Sequence, residues 1–246
     1  MNKSTVFEHA ASCARLNKCV STAPVSELRA LLRQSCREIN STYRLVETRF
    51  GDASAMPDSC RWLLDNRYLA IREAKSVLPE LRRQRRLRAG NEGIILSVLC
   101  RDMINVCNGR FSEDSMIEYL DGFQSVSPLP QSELYFFPAV LLTQLIAAIA
   151  EACTQLESTA EPDALSERFA ALFGSVRLIS ELDMHNLLER VDTVEKALRA
   201  DPSGVYPRMD EQSRAEYRLQ LARLAKREGL EEHVFARQLV ERCRHR

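Results

Sequence analysis

The stretch LYFFPAVLLTQLIAAIA, Leu134–Ala150, is the most apolar in the chain and lies between Glu133 and Glu151. A helix that is apolar all round is either a membrane span or a helix buried in a core. A span needs ~20 predominantly apolar residues. Here Pro138, Thr143 and Gln144 interrupt a shorter run. The expectation is a central buried helix around which the other helices pack.

Working outward, helical periodicity recurs almost throughout. Val25, Leu28, Leu32, Cys36, Ile39, Tyr43, Val46 and Phe50 step by three or four, with Pro24 suited to the first turn and Gly51 to the end. Pro57 opens a second helix whose stripe runs from Cys60 through Leu64, Tyr68 and Ile71 to Leu81, and Pro79 threatens to break it. Gly90–Gly93 reads as a loop and Ile94–Val106 as a short helix. Phe111–Phe123 is a helix opened by Ser112, with Glu113 and Asp114 in its first turn. After the linker Ser127-Pro128-Leu129-Pro130 and the central helix, helices are expected near 163–180 and 183–200. Asp210 is the expected N-cap of a helix ending at Glu228, Gly229 its C-cap, and Glu231 to Arg244 a last helix.

The chain has 246 residues with only 8 Gly and 9 Pro, too few for the turns of an all-β protein. The fold expected is all-α: a single domain, 1–246, of about nine or ten helices in orthogonal or αα-hairpin packing. The polar joint Ser158–Asp163 is a candidate boundary between subdomains 1–158 and 163–246. Eight spread cysteines and no apolar leader at Met1–Phe7 suggest a reducing compartment, each thiol serving as a small buried hydrophobe.

A net charge of zero excludes a generally basic nucleic-acid binder, but it hides a segregation. Residues 61–110 hold 11 basic and 5 acidic groups, whereas 111–167 hold 10 acids and no Lys or Arg. That suggests intramolecular docking or polarised partner surfaces. The sharpest cluster is Arg82-Arg83-Gln84-Arg85-Arg86-Leu87-Arg88. It reads as a solvated helix end, as a surface docked on the acidic block, or as a site for phosphate, anionic lipid or nucleic acid. With no aromatic interleaved, single-strand binding is the least suited.

Catalytic motifs are missing. There is no phosphate-cradling glycine loop, nucleophile elbow or zinc-protease motif, and no cofactor or metal is expected. His9 and Cys13 share a helix face but lack further ligands. Acid pairs such as Asp65/Glu73 and Glu189/Asp192 read as solvated helix faces. Trp62, the only Trp, has Asp65, Asn66 and Tyr68 beside it. The group is either a sugar-stacking platform or core packing with local caps.

Two blocks carry a family resemblance. Trp62-Leu63-Leu64-Asp65-Asn66-Arg67-Tyr68-Leu69, leading to Leu78-Pro79, resembles a W-L-L-D-N-x-(Y/H)-L…L-P signature of the cyclic β-1,2-glucan synthases. The second block runs from Ser175-Val176-Arg177-Leu178-Ile179-Ser180 through Val194-Glu195 to Asp201-Pro202-Ser203-Gly204-Val205-Tyr206-Pro207-Arg208-Met209-Asp210, then Arg214 and Tyr217. It resembles the same family's S-x-R-x-I-S…V-E…D-P-x-G-V-Y-x-x-M-D…R-x-x-Y stretch. In that family the region precedes membrane helices and a processive, UDP-glucose-dependent transferase.

The resemblance implies a non-catalytic helical module that braces or regulates glucan synthesis at the cytoplasmic face of a membrane, its partner being the rest of the synthase. No family catalytic residue falls in this chain. The signature residues Arg177, Asp201, Pro202, Gly204, Tyr206, Met209, Asp210, Arg214 and Tyr217 are then structural. Two other readings stay open: a β-1,2-glucan-binding module using Trp62 and Tyr68, and an independent adaptor that holds an anionic surface through Arg82–Arg88.

Overall fold

The computed structural model describes residues 3–50, 56–159 and 161–244. In chain order the helices are α1 (Lys3–Leu16), α2 (Ser26–Phe50), α3 (Asp58–Arg83), α4 (Ile95–Val106), α5 (Glu113–Gln124), α6 (Gln131–Leu134), α7 (Phe137–Ser158), α8 (Ser166–Glu181), α9 (Met184–Val191), α10 (Thr193–Leu198), α11 (Glu211–Glu228) and α12 (Glu232–Arg244). The fold is all-α, with one small antiparallel sheet of β1 (Ser21–Pro24), β2 (Arg86–Gly90) and β3 (Gly93–Ile94).

The apolar stretch forms α7, and it is the core helix. Residues 131–158 are long and apolar enough to cross a membrane, but 78 % of the most apolar window is buried inside the protein. α2, α3, α4 and α8 pack around α7. Phe137, Phe169, Phe173, Tyr119 and Phe123 are among the largest side chains removed from water. Burying each such side chain contributes about 1.5–3 kcal/mol. On one flank α1 crosses α5 closely at Gly122, where a Cβ would stand 2.5 Å from the Phe7 carbonyl oxygen.

Several caps act as expected. The Ser112 hydroxyl accepts from Ser115 N–H and Asp210 accepts from Ser213 N–H, each satisfying a free helix donor. Gly229 adopts φ +67° and lets Leu230 N–H reach back to the Ala225 carbonyl.

The departures have physical reasons. The sheet was not expected. Pro24 does not start α2 but ends edge strand β1, where its missing N–H costs no ladder bond. Gly51 lies outside the described residues. Pro79 does not break α3, which runs on to Arg83. The basic cluster is therefore not one helix end. Its second half is β2, with Leu87 and Ala89 buried, Arg86 exposed and Arg88 half-buried, closed by a tight turn at Asn91–Glu92.

The segment 183–200 is two helices, because Asp192 is buried and its carboxylate accepts from Val194 and Glu195 N–H to start α10. The apolar clusters do not divide at the 158–163 joint, since α8 belongs to the main core. A second, smaller cluster of Val194, Leu198, Tyr206, Leu221, Ala236 and Val240 joins α10, α11 and α12. All eight cysteines are free, but Cys19 and Cys243 are exposed rather than buried.

Candidate functional site

The first signature block lies on α3. Asn66 is buried; its amide donates to the Trp62 carbonyl at 3.0 Å and its oxygen accepts from Arg177 of α8 at 3.4 Å. One bond therefore links the two signature blocks across the helix pair. The neighbouring Arg67 ties α3 to α2, donating to Asn40 at 2.7 Å and stacking 4.4 Å from the Tyr43 ring centroid.

Trp62 and Tyr68 are 37 % and 73 % exposed. Six helical positions separate them, which turns their side chains about 120° apart around the axis. The two rings therefore do not form one continuous stacking surface. Asp65 is exposed and makes no ion pair among the described residues. Its proposed partner in an acid pair, Glu73, is buried and salt-bridged to Arg72 at 2.7 Å.

The second block builds a buried ionic cluster. Asp201 folds the loop after α10 by accepting from Ser203, Val205 and Tyr206 N–H. The Ser203 hydroxyl, then these amides, hold its carboxyl below the usual range. Gly204 takes φ +63°, and its carbonyl accepts from Arg208 Nε at 2.7 Å. Pro202 is exposed in the same loop, and Met209 packs half-buried on the small core.

The loop delivers Tyr206, buried and T-shaped against Tyr217, to the Glu195 carboxylate at 2.6 Å. Glu195 is 0 % exposed and also accepts from Arg218 at 2.5 Å, Arg214 at 2.8 Å and Arg199 at 2.8 Å. Glu189 backs the same three arginines at 3.4–3.5 Å. His185 joins Glu189 to Glu211 at the start of α11.

Burial pushes the Glu195 carboxyl up, but Tyr206 and Arg218, with Arg199, outweigh it and leave the group below its ordinary value. A general acid at neutral pH needs the opposite shift. This cluster holds helices together; it is not poised for proton transfer. Glu189 and Asp192 are correspondingly not a solvated pair: Asp192 is a buried cap, and Glu189 is half of the ionic cluster.

The arginine cluster divides. Arg88 donates its backbone N–H and Nε to the buried Glu133 carboxylate at 2.8 and 2.9 Å, where β3 has already ended. Glu133 belongs to the acidic block, so this contact is the expected docking in miniature. Arg86 bonds Thr22 of β1. Arg82, Arg83 and Arg85 are exposed and make no ion pair among the described residues.

A second constellation sits between α1, α4 and α5. Asp102 accepts from Tyr119 at 2.5 Å and lies 3.3 Å from His9, with Cys13 alongside. Burial pushes the Cys13 thiol up to about 11, which opposes its use as a nucleophile. Among the described residues no group of three or more His, Cys, Asp or Glu is placed to hold a metal ion.

Sequence reasoning missed the roles of Arg199, Arg218 and Glu133, and read Glu189 as part of a solvated face. Only the i,i+4 spacing of Glu195 and Arg199 was a local signal; the other partners come from separate helices. No family model and no curated protein matches the chain.

Proposed function

We propose that the chain is a non-catalytic helical module of a cyclic β-1,2-glucan synthase-type glycosyltransferase, bracing or regulating UDP-glucose-dependent glucan synthesis at the cytoplasmic face of the membrane. The two residue blocks that resemble that family support the family assignment. The non-catalytic role rests on one observation: the polar signature residues bond one another. Asn66 meets Arg177, Tyr206 and Arg214 meet Glu195, and Asp201 and Asp210 fold their own loop and cap. Residues kept for chemistry would present free donors or shifted acids to a cleft. These are consumed in holding α3 to α8 and α10 to α11. The glucan-binding reading is not favoured, because Trp62 and Tyr68 face different directions.

The purified chain incubated with labelled UDP-glucose is expected to release no UDP and form no glucan. Turnover would overturn the non-catalytic role. Deleting the coding segment for this chain in its source cell is expected to abolish cyclic β-1,2-glucan. Unchanged glucan would overturn the family assignment.

A further inference from the structure

The sheet gathers two segments that are distant in sequence and alike in charge. Residues 15–24 and 82–90 contain Arg15, Lys18, Arg82, Arg83, Arg85, Arg86 and Arg88 and not one acidic residue. Among the described residues only Arg88 has an ion-pair partner, Glu133. The other six cations are exposed.

The 15–24 segment also carries protruding aliphatics. Leu16, at the end of α1, and Val20, just before β1, are 76 % and 65 % exposed. Thr22 pairs Arg88 and Pro24 pairs Arg86, and Val20, just before the paired residues, donates its N–H to the Ala89 carbonyl at 2.9 Å. Thr22 and Arg86 are exposed beside the buried Leu87 and Ala89, while Arg88 is half-buried on Glu133. Arg86 reaches across to Thr22, donating to its hydroxyl and its carbonyl.

The connection from α1 to β1 is anchored at both sides. Between Leu16 and Lys18, Asn17 is buried with its side chain donating to the Cys13 carbonyl at 3.0 Å. A Cβ on Gly90 would stand 3.0 Å from the Lys18 oxygen, so the connection lies directly on the hairpin.

We infer that the exposed cations Lys18, Arg82, Arg83, Arg85 and Arg86 around this hairpin, with the exposed aliphatics Leu16 and Val20, form a peripheral docking surface for an anionic lipid bilayer. Uncompensated cations are drawn to the negative surface potential of such a bilayer, and separate aliphatic tips enter its interfacial layer. A partner protein's acidic segment would use the charge but gives no reason for aliphatic side chains this exposed beside it. The inference does not rest on the glucan-synthase reading, since vesicles alone test it and either can fail without the other.

The test is co-sedimentation of the full chain with phosphatidylcholine vesicles, with and without phosphatidylglycerol. Binding is expected only with phosphatidylglycerol and is expected to weaken as salt rises. Arg82→Gln, Arg83→Gln and Arg85→Gln should each reduce the partition coefficient about fivefold. Leu16→Ser with Val20→Ser should also lower it, with the circular dichroism spectrum and melting temperature unchanged because neither residue is in the core. Equal binding to both vesicle types, no binding, or wild-type binding by the triple glutamine variant would overturn the proposal. So would full retention by the double serine variant with displacement by soluble polyglutamate, which would mark a charge-only surface for an acidic protein.

Discussion

Glu195→Gln is the most informative single change. The carboxylate has no exposure to water and receives four charged or hydroxyl donors at 2.5–2.8 Å. Removing one partner of a buried ion pair costs about 3–5 kcal/mol, because the other charge is left without compensation. Here Glu189 remains at 3.4–3.5 Å from the three arginines, and Gln keeps one acceptor. The lower end applies, about 3 kcal/mol.

That cost falls on a cluster with only a handful of buried apolar side chains. The loss should therefore be regional. Native-state hydrogen exchange is the assay. Amides of α10 and α11 should exchange about 100-fold faster, whereas those of α7 keep their protection.

The acid limb adds a sign test. Glu195 has a folded pKa below its ordinary 4.5, so its contribution is present above that value and lost as pH falls through the lowered folded value. The wild-type cluster should loosen in that window and the Gln variant should not respond there. Unchanged exchange in the variant, or equal loss in α7 and α11, would refute the assignment of the cluster as a regional brace.

Gly122→Ala should destabilise by about 2 kcal/mol in urea unfolding, because the new methyl meets Phe7 backbone rather than a movable side chain. Arg88→Met should cost about 3 kcal/mol by leaving the Glu133 carboxylate buried beside one remaining backbone donor, and Glu133→Gln alongside it should recover part of that loss. Asp192→Ala should cost about 1–2 kcal/mol through the lost cap, whereas Asp192→Asn should cost less. Burial, partly offset by the Gln131 amide, raises the Asp192 carboxyl; its contribution is therefore full below 3.8 and lost as pH rises through the folded value, a dependence that thermal melts of the Asn variant should lack.

What could be read from the chain was what is local. The stripe of α2, the cap at Ser112 and the αL glycine at Gly229 each need only a few neighbouring residues. The central helix was legible because an all-apolar run bounded by Glu133 and Glu151 has few places to go. The sheet was not, because β1 and β2 are four and five residues long and lie more than sixty positions apart. A period of two over Arg86-Leu87-Arg88-Ala89 is too short to outweigh the helical pattern before it. The Glu195 cluster was out of reach for the same reason: its donors sit on α10, α11 and the Tyr206 turn, and only their packing reveals that one carboxylate serves them all.

The strand also changes what the neutral net charge means. On a continuous helix, five arginines in seven positions would spread around the axis and mostly face water. The turn at Gln84 and the strand that follows instead put Arg86 and Arg88 on one face, beside the cations of the 15–24 segment. The acidic block gives little in return. Among the described residues only Arg88 crosses to it from residues 61–110 as an ion pair, through Glu133, while Glu113 and Asp121 are taken by Arg190 and Lys196 from the C-terminal helices. The positive charge at the sheet is thus not cancelled where it stands but balanced elsewhere on the molecule. A surface charge without a local partner costs little in water and is drawn to any fixed negative surface the protein meets. Segregation that looks like internal docking in the sequence therefore becomes, once the sheet forms, an outward-facing polarity.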